Sequence, residues 1–504
     1  MKNTARKQLI ISLLLGGMLI SAFGCSKNDE DVSKTTGDSV NSGETSSAQE
    51  ETELKPTLPD ETYHGYTFKF LHWHVTGWES RASRDLVVDP EKAEGDTIND
   101  AVRKRNAAVS DRFGIDFSLK NVSYDAISAE VSKFINSMDD SYDLVYVRTY
   151  EQTSLVSAGY FVDFNSIPYV DLSKPWWDQN CSENLSIAHK VYLAASNINI
   201  IDKDATAVIT FNKQMVQDLN LENFYQLVND NKWTMDKMQT IYTAIADDLN
   251  GNGKMEADDR WGFLGGRDVP TSFFNGAGGK FASQDEDGMP VSTFSSEYNY
   301  AVSEKILEIL SDTHAFYNHH TGTDAAPLTN DSDYRKMFEN NHGLFFWTRL
   351  DDVTAMRASD TDFGILPIPK YTEEQEKYYN LVSVHTNGLM SVPITAKNLE
   401  RTGAILEALA YESTSTVIPA YYDISLKGKS TRDEESSDML DLIFANRVFD
   451  IGIAYNFGGF SSAYETLDST RQGIASLYQS YEKRINSDIE KIVEAINKMD
   501  SAQS

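Results

Sequence analysis

A chain of 504 residues, 40% hydrophobic and 11% aromatic, is long enough to form about two to three domains with sizeable cores. Its formal charge of −31 excludes nucleic acid as a partner, because phosphates require a basic face. Acidity on this scale serves mainly solubility.

The chain opens as an export signal: Lys2, Arg6 and Lys7 form a positive region, and residues 9–19 an apolar run too short for a comfortable membrane span. Ser21-Ala22-Phe23-Gly24-Cys25 follows and resembles a bacterial lipobox, which implies cleavage before Cys25 and a lipid on its sulfur. A plain secretory peptide with an incidental cysteine is the competing reading. With Cys25 lipidated, Cys181 has no disulfide partner. Residues 26–62 are almost free of apolar side chains and read as a disordered polar tether.

Order is expected from Tyr66. Residues 66–72 alternate aromatic and polar side chains as a strand does, and lead into Trp73 and His74. Residues 97–113 carry Ile98, Ala101, Val102, Val109 and Phe113 on one helical stripe, and Gly114 stands at the C-terminal cap. Ile115, Phe117 and Leu119 alternate in a second strand. Ile127, Val131, Phe134 and Ile135 mark a second helix, and residues 143–147 a third strand. This β-α-β-α-β run predicts a parallel sheet flanked by helices, with ligands bound outside the carboxyl ends of its strands, near Trp73, His74, Arg148 and Tyr150.

Residues 205–211, rich in β-branched side chains and free of charge, predict a strand buried on both faces that crosses between two lobes. Further on, Asp248, Asn250, Asn252, Glu256 and Asp259 occupy positions 1, 3, 5, 9 and 12 of a calcium loop of EF-hand spacing, with Gly253 at position 6 and Met255 at 8. The expected ligand set is Asp248, Asn250, Asn252, Lys254, Glu256 and Asp259, and the ion a structural Ca2+. Asp259 replaces the usual bidentate Glu, and residues 260–266 form no helix, so this is an isolated EF-hand-like loop. An Asx-rich surface turn is its alternative.

Taken in order, the lipobox, the tether, the β-α-β-α-β start, Trp176-Trp177-Asp178, Phe211-Asn212-Lys213, Asn231-Lys232-Trp233-Thr234, residues 343–347, 363–370 and 387–393 resemble an extracellular solute-binding lipoprotein of an ABC transporter, of the large carbohydrate-binding group. The resemblance covers essentially all the mature chain. It implies an α/β fold with two lobes, each a mostly parallel sheet flanked by helices, and a ligand cleft between them. The lobes would comprise residues 63–206 with 379–412, and 207–378 with 413–500. The helical stripe of Ile485, Ile489, Ile492, Val493 and Ile496 predicts that the last helix docks. The expected partners are a sugar or oligosaccharide and an ABC permease, the protein being a lipid-anchored monomer on the outer face of the membrane and no enzyme.

Trp73, Trp176, Trp177, Phe345, Trp347, Tyr421 and Tyr422 are candidates to stack on a sugar, and His74, Arg148, Asp178, Asn197, Arg349, His385 and Asn387 to take its hydroxyls. Core packing competes for each aromatic. His72, His74, His319 and His320 lack the spacing of a metal site and read as packing or ligand contacts. Two further classes compete with transport: a secreted glycoside-active enzyme, with two carboxyl groups flanking the scissile bond, and a surface glycan-binding adhesin.

Overall fold

The computed structural model describes residues 54–75, 85–88, 96–318, 331–356, 359–422, 434–469 and 472–503. The leader, Cys25, residues 26–53 of the tether, His319 and His320 lie outside the described residues, whereas residues 54–62, expected to belong to the disordered tether, are described and Leu58 packs against the core. The elements below belong to one compact unit that begins at Lys55. Among the described residues no helix is long and apolar enough to cross a membrane.

The predicted start of the fold is present: β1 (Tyr66–His74), α1 (Thr97–Phe113), β2 (Ile115–Ser123), α2 (Ile127–Asn136) and β3 (Leu144–Arg148). β1 is parallel to β2 from Tyr66↔Ile115 to His74↔Ser123 and to β3 from Phe70↔Leu144 to His72↔Tyr146. Asp96 starts α1 by accepting from the N–H groups of Ile98 and Asn99 at 3.1 and 2.9 Å, and Gly114, with φ of 63°, ends it. Ile98, Val102, Val109 and Phe113 are buried as the stripe predicts. Arg105 lies among them, fully buried, and donates to the carbonyls of Ile198, Asp85 and Leu86 at 2.6, 2.8 and 3.0 Å. Those hydrogen bonds offset the desolvation of its charge and fix α1 to two distant segments.

A second sheet contains β4 (Ala207–Asn212), β5 (Trp261–Gly265), β6 (Phe316–Asn318), β7 (Gly343–Arg349) and β8 (Phe363–Leu366), in the order β8-β4-β7-β5-β6. β4 is buried along its whole length, as expected. This sheet is evenly mixed, not mostly parallel: β4 runs against β7 and β8, whereas β5 is parallel to β6 and β7. The cause is how β4 is entered. The chain arrives from the first sheet through Ala205 and Thr206, and Ala207 pairs with Arg349 at the carboxyl end of β7. The crossing is thus the dipeptide before β4, and the strand itself belongs to the second sheet.

β9 (Gly388–Ser391) returns to the first sheet antiparallel to β3, giving the order β9-β3-β1-β2. On the way back, Thr206 pairs with Val382, the Ser383 N–H donates to the Ala205 carbonyl at 2.9 Å, and Asn380–Leu381 pairs in parallel with Arg447–Val448. Three chain segments therefore lie side by side where the sheets join. Helix α3 (Val269–Gly276) follows β5, α4 (Leu399–Ser415) packs on α1, and α5 (Ile474–Gln503) buries Ile485, Ile492 and Ile496, so the last helix is docked.

Candidate functional site

The carboxyl ends of β1 and β3 in one sheet, and of β5 and β7 in the other, place Trp73, Arg148, Asp268 and Arg349 in or just after the strands, and the return crossing carries His385 and Asn387. This is the strand-end position where open α/β sheets bind ligands.

His385 lies at the centre of a polar cluster. Its Nε2–H donates to Glu465 Oε1 at 2.7 Å, Arg267 Nε donates to Glu465 Oε2 at 2.6 Å, and its ring stands 5.3 Å from that of Tyr150. Ser383 Oγ donates to Asp268 Oδ2 at 3.2 Å, and Arg349 Nη1 lies 4.0 Å from the same oxygen. Arg349 also approaches Asp351 and Asp352 at 3.4 and 3.7 Å. Burial alone would lower the His385 pKa; the Glu465 hydrogen bond and the Asp268 charge outweigh it and raise the imidazole above its ordinary value. Burial likewise opposes the charge of Arg349, and Asp351, Asp352 and Asp268 more than restore it. Ligand atoms of Asp268, His385 and Glu465 lie within 4.8 Å of one another, but Arg267 and Arg349 already neutralise the carboxylates, which disfavours a cation there.

Trp73 and Trp347 are each 2% exposed, and neither indole Nε1 has an acceptor. Trp73 stacks on His72, and its Nε1 lies beside Gly388, where an added Cβ would come within 2.3 Å. The Arg349 guanidinium lies 6.0 Å from the Trp347 ring. Asn387, 1% exposed, has no donor to its Oδ1, while its carbonyl accepts from the Thr149 N–H at 3.0 Å. Buried polar atoms without partners are groups that a hydroxylated ligand can satisfy. His74 is half-buried at the end of β1.

Other candidates sit in structural roles. Trp176 and Trp177, each 2% exposed, donate their indole N–H groups to the two carboxylate oxygens of buried Glu407, at 2.9 and 2.8 Å. Both rings are held against α4, and their N–H groups, unlike those of Trp73 and Trp347, are already satisfied. Asp178 caps a short helix by accepting from the Cys181 N–H at 2.9 Å, and its other oxygen pairs with Arg447, which also binds Asp202 at 2.8 Å. Phe345 is fully buried between Phe224 and Trp233, with centroids at 5.0 and 5.3 Å. Asn197 donates to Thr414 Oγ1 at 3.1 Å, and Arg148 is clamped by Glu151, its Nε 2.7 Å from Oε2, beneath the Tyr124 ring. Tyr421 donates to Asp204 at 2.9 Å and Tyr422 to Asp441.

Asp268, Arg267 and Glu465 were not anticipated. Asp268 could have been, since it closely follows a buried strand that ends at Gly265; Glu465 sits in no local pattern.

In the 248–259 loop, Gly251 and Gly253 take φ of 70° and 81°, and Asp248 accepts from their N–H groups at 2.8 and 2.6 Å. Glu256 Oε2 accepts from Asn252 and Asn250 at 2.8 and 3.2 Å, so these oxygen-bearing side chains converge. Asp259, 1% exposed, turns both oxygens to backbone N–H groups, those of Leu249 and Glu256, at 2.9 and 2.6 Å. Asn250 and Asn252 Oδ1 accept from the N–H groups of Asn252 and Lys254 at 3.0 and 2.8 Å, and Asp259 serves the loop's backbone.

No protein-family model matches the chain, and no curated protein does. Solved structures do. UspC of M. tuberculosis aligns with a TM-score of 0.54 over 84% of this chain and 100% of its own, at 11% identity. An ABC substrate-binding protein from Listeria monocytogenes, in complex with cycloalternan, aligns at 0.51 over 86% and 99%, with 10% identity. An ABC transporter solute-binding protein from Agrobacterium radiobacter K84, in complex with ribitol, aligns at 0.51 over 84% and 99%, with 12% identity. The likeness is one of fold: the chain has the two-lobed fold of ABC-transporter solute-binding proteins.

Proposed function

We propose that this protein is the extracellular, lipid-anchored solute-binding component of an ABC importer, which captures a carbohydrate between its lobes, delivers it to a permease and catalyses no reaction. The observation that carries this reading is the pair of buried, acceptorless indole N–H groups, Trp73 at the end of a strand in one sheet and Trp347 at the end of a strand in the other. A ligand that satisfies both, together with Asn387, has to be polar along its edge and apolar on its faces, as a sugar is. Cycloalternan and ribitol in the structural neighbours support the same class. The leader ending in Gly24-Cys25 supports lipid anchoring, and the tether gives the binding lobes reach.

The test is a thermal-shift screen across neutral mono- and oligosaccharides, since a ligand that binds only the native state raises its melting temperature. Incubation with the hit must return it intact. Loss of uptake of that sugar when the gene is deleted tests delivery. Turnover of an oligosaccharide, or no response to any sugar, overturns the reading.

A structural calcium ion in the 248–259 loop is part of the proposal, held by Asp248, Asn250, Asn252, Glu256 and the carbonyl of Lys254, with Asp259 bracing the loop. The convergence of these side chains supports it.

A further inference from the structure

A cavity of about 240 Å3 lies where the crossing segments pass, and it shares no lining residue with the strand-end cluster. Asn184 lines it from the chain before the crossing, Asn275 and Lys280 from the end of α3 and just beyond, Lys377 and Tyr379 from the return, and Arg447 from the third segment. Its charge is unusual for this chain, which has 76 acidic residues against 45 basic ones. Arg447 is neutralised by Asp178 and Asp202. Lys280 donates to the neutral Asn184 Oδ1 at 2.8 Å, and neither Lys280 nor Lys377 forms an ion pair with a described residue. Two lysines therefore line one cavity, and neither is paired with a described carboxylate.

Asn275 adds a second requirement. It is 1% exposed, and its Nδ2 donates to the Gly279 carbonyl at 2.8 Å and to Asp450 Oδ2 at 3.0 Å, which fixes the amide with Oδ1 lacking a donor. That oxygen calls for an O–H or N–H. Gly278, at φ of 79°, brings the backbone close to the Tyr379 ring, which forms an apolar wall: an added Cβ would lie 3.5 Å from it. Two cations, an acceptor and a flat apolar wall in this volume suit one small molecule.

We propose that this cavity binds a hydroxylated carboxylate of single-sugar size, its carboxylate held by Lys280 and Lys377 and a hydroxyl by Asn275 Oδ1. The occupant touches chain on both sides of Ala205-Thr206, so it acts at the junction of the lobes and apart from the strand-end site.

Isothermal titration of the full protein with D-glucuronate, D-glucose and sulfate tests this. D-glucuronate should bind saturably, with D-glucose and sulfate each at least about tenfold weaker, because one loses the charge and the other the hydroxyl. The double variant Lys280→Gln, Lys377→Gln should weaken D-glucuronate by about tenfold or more with an unchanged melting temperature. Trp347→Phe should leave D-glucuronate affinity as it is. Absence of saturable D-glucuronate binding, equal binding of sulfate, or full affinity in the double variant overturns the proposal. The response to neutral sugars is measured on the same proteins, so failure here is distinguishable from failure of the strand-end reading.

Discussion

His385 donates to Glu465 across a 2.7 Å hydrogen bond, joining the return crossing to the C-terminal segment. Because this bond and Asp268 raise the folded-state pKa above the ordinary imidazole value, the contribution to stability is full below about pH 6.5 and is lost as pH rises through the folded value. His72 behaves oppositely. Burial pushes it down to about 4, so the unfolded chain takes up the proton first, and stability falls on the order of 3 kcal/mol as pH drops from about 6.5 toward 4. Melting temperatures from pH 4 to 8 should show His385→Gln losing stability mainly at the acidic end of that range, whereas His72→Phe flattens the acid limb. Parallel curves for His385→Gln and wild type would remove the first assignment.

Glu407 yields a prediction about stability alone. Replacing it with Gln removes one of two acceptors and leaves a buried indole N–H of Trp176 or Trp177 facing an amide donor, which costs about 1–3 kcal/mol. The melting temperature should fall while sugar affinity holds. Lost affinity at unchanged stability would instead place the Trp pair in the ligand site.

The elements most legible in the sequence were those set by local periodicity. Ile98, Val102, Val109 and Phe113 had to share a stripe, and 66–72 had to be a strand, because 3.6- and 2-residue periods with Gly114 at the helix end leave few alternatives. β4 was readable because residues buried on both faces carry no polar alternation. Its direction was not, since that depends on Ala207 meeting Arg349 far along the chain. The same holds for the site. Trp176 and Trp177 have the composition of a sugar platform, and only the approach of Glu407 shows that they are core; Glu465 became a site residue by reaching His385 and Arg267. Arg105, in the middle of an apolar stripe, signals burial only once the carbonyls of Asp85, Leu86 and Ile198 surround it.

Calcium binding predicts a chelator effect independent of any sugar. Adding EDTA should lower the melting temperature, and Asp248→Ala should abolish the difference, since the variant loses both a ligand and the acceptor for Gly251 and Gly253. A chelator-indifferent wild-type melting curve would reject the ion. Reduced stability of Asp248→Ala with the chelator difference preserved would assign Asp248 to the turn alone.

The last prediction concerns closure. Only short segments join the two sheets at the Thr206–Val382 pairing, with Arg447 held between Asp178 and Asp202 beside them, so the lobes can rotate as bodies about a fixed, buried pivot. A bound sugar that bridges Trp73 and Trp347 favours the closed arrangement by the difference in its contacts between the two states. Trp347→Ala is too disruptive as a probe, because at 2% exposure the ring is part of the packing, and its removal costs about 3–5 kcal/mol. Trp347→Phe is the sharper variant, since it keeps a ring and deletes the acceptorless N–H. Sugar affinity should fall by about 1–3 kcal/mol with only a small change in melting temperature. X-ray scattering should record a smaller radius of gyration for wild type at saturating sugar, and the same decrease for Trp347→Phe once its higher sugar requirement is met. An unchanged radius for saturated wild type retires the closure mechanism. Full affinity in Trp347→Phe removes its indole N–H from the site.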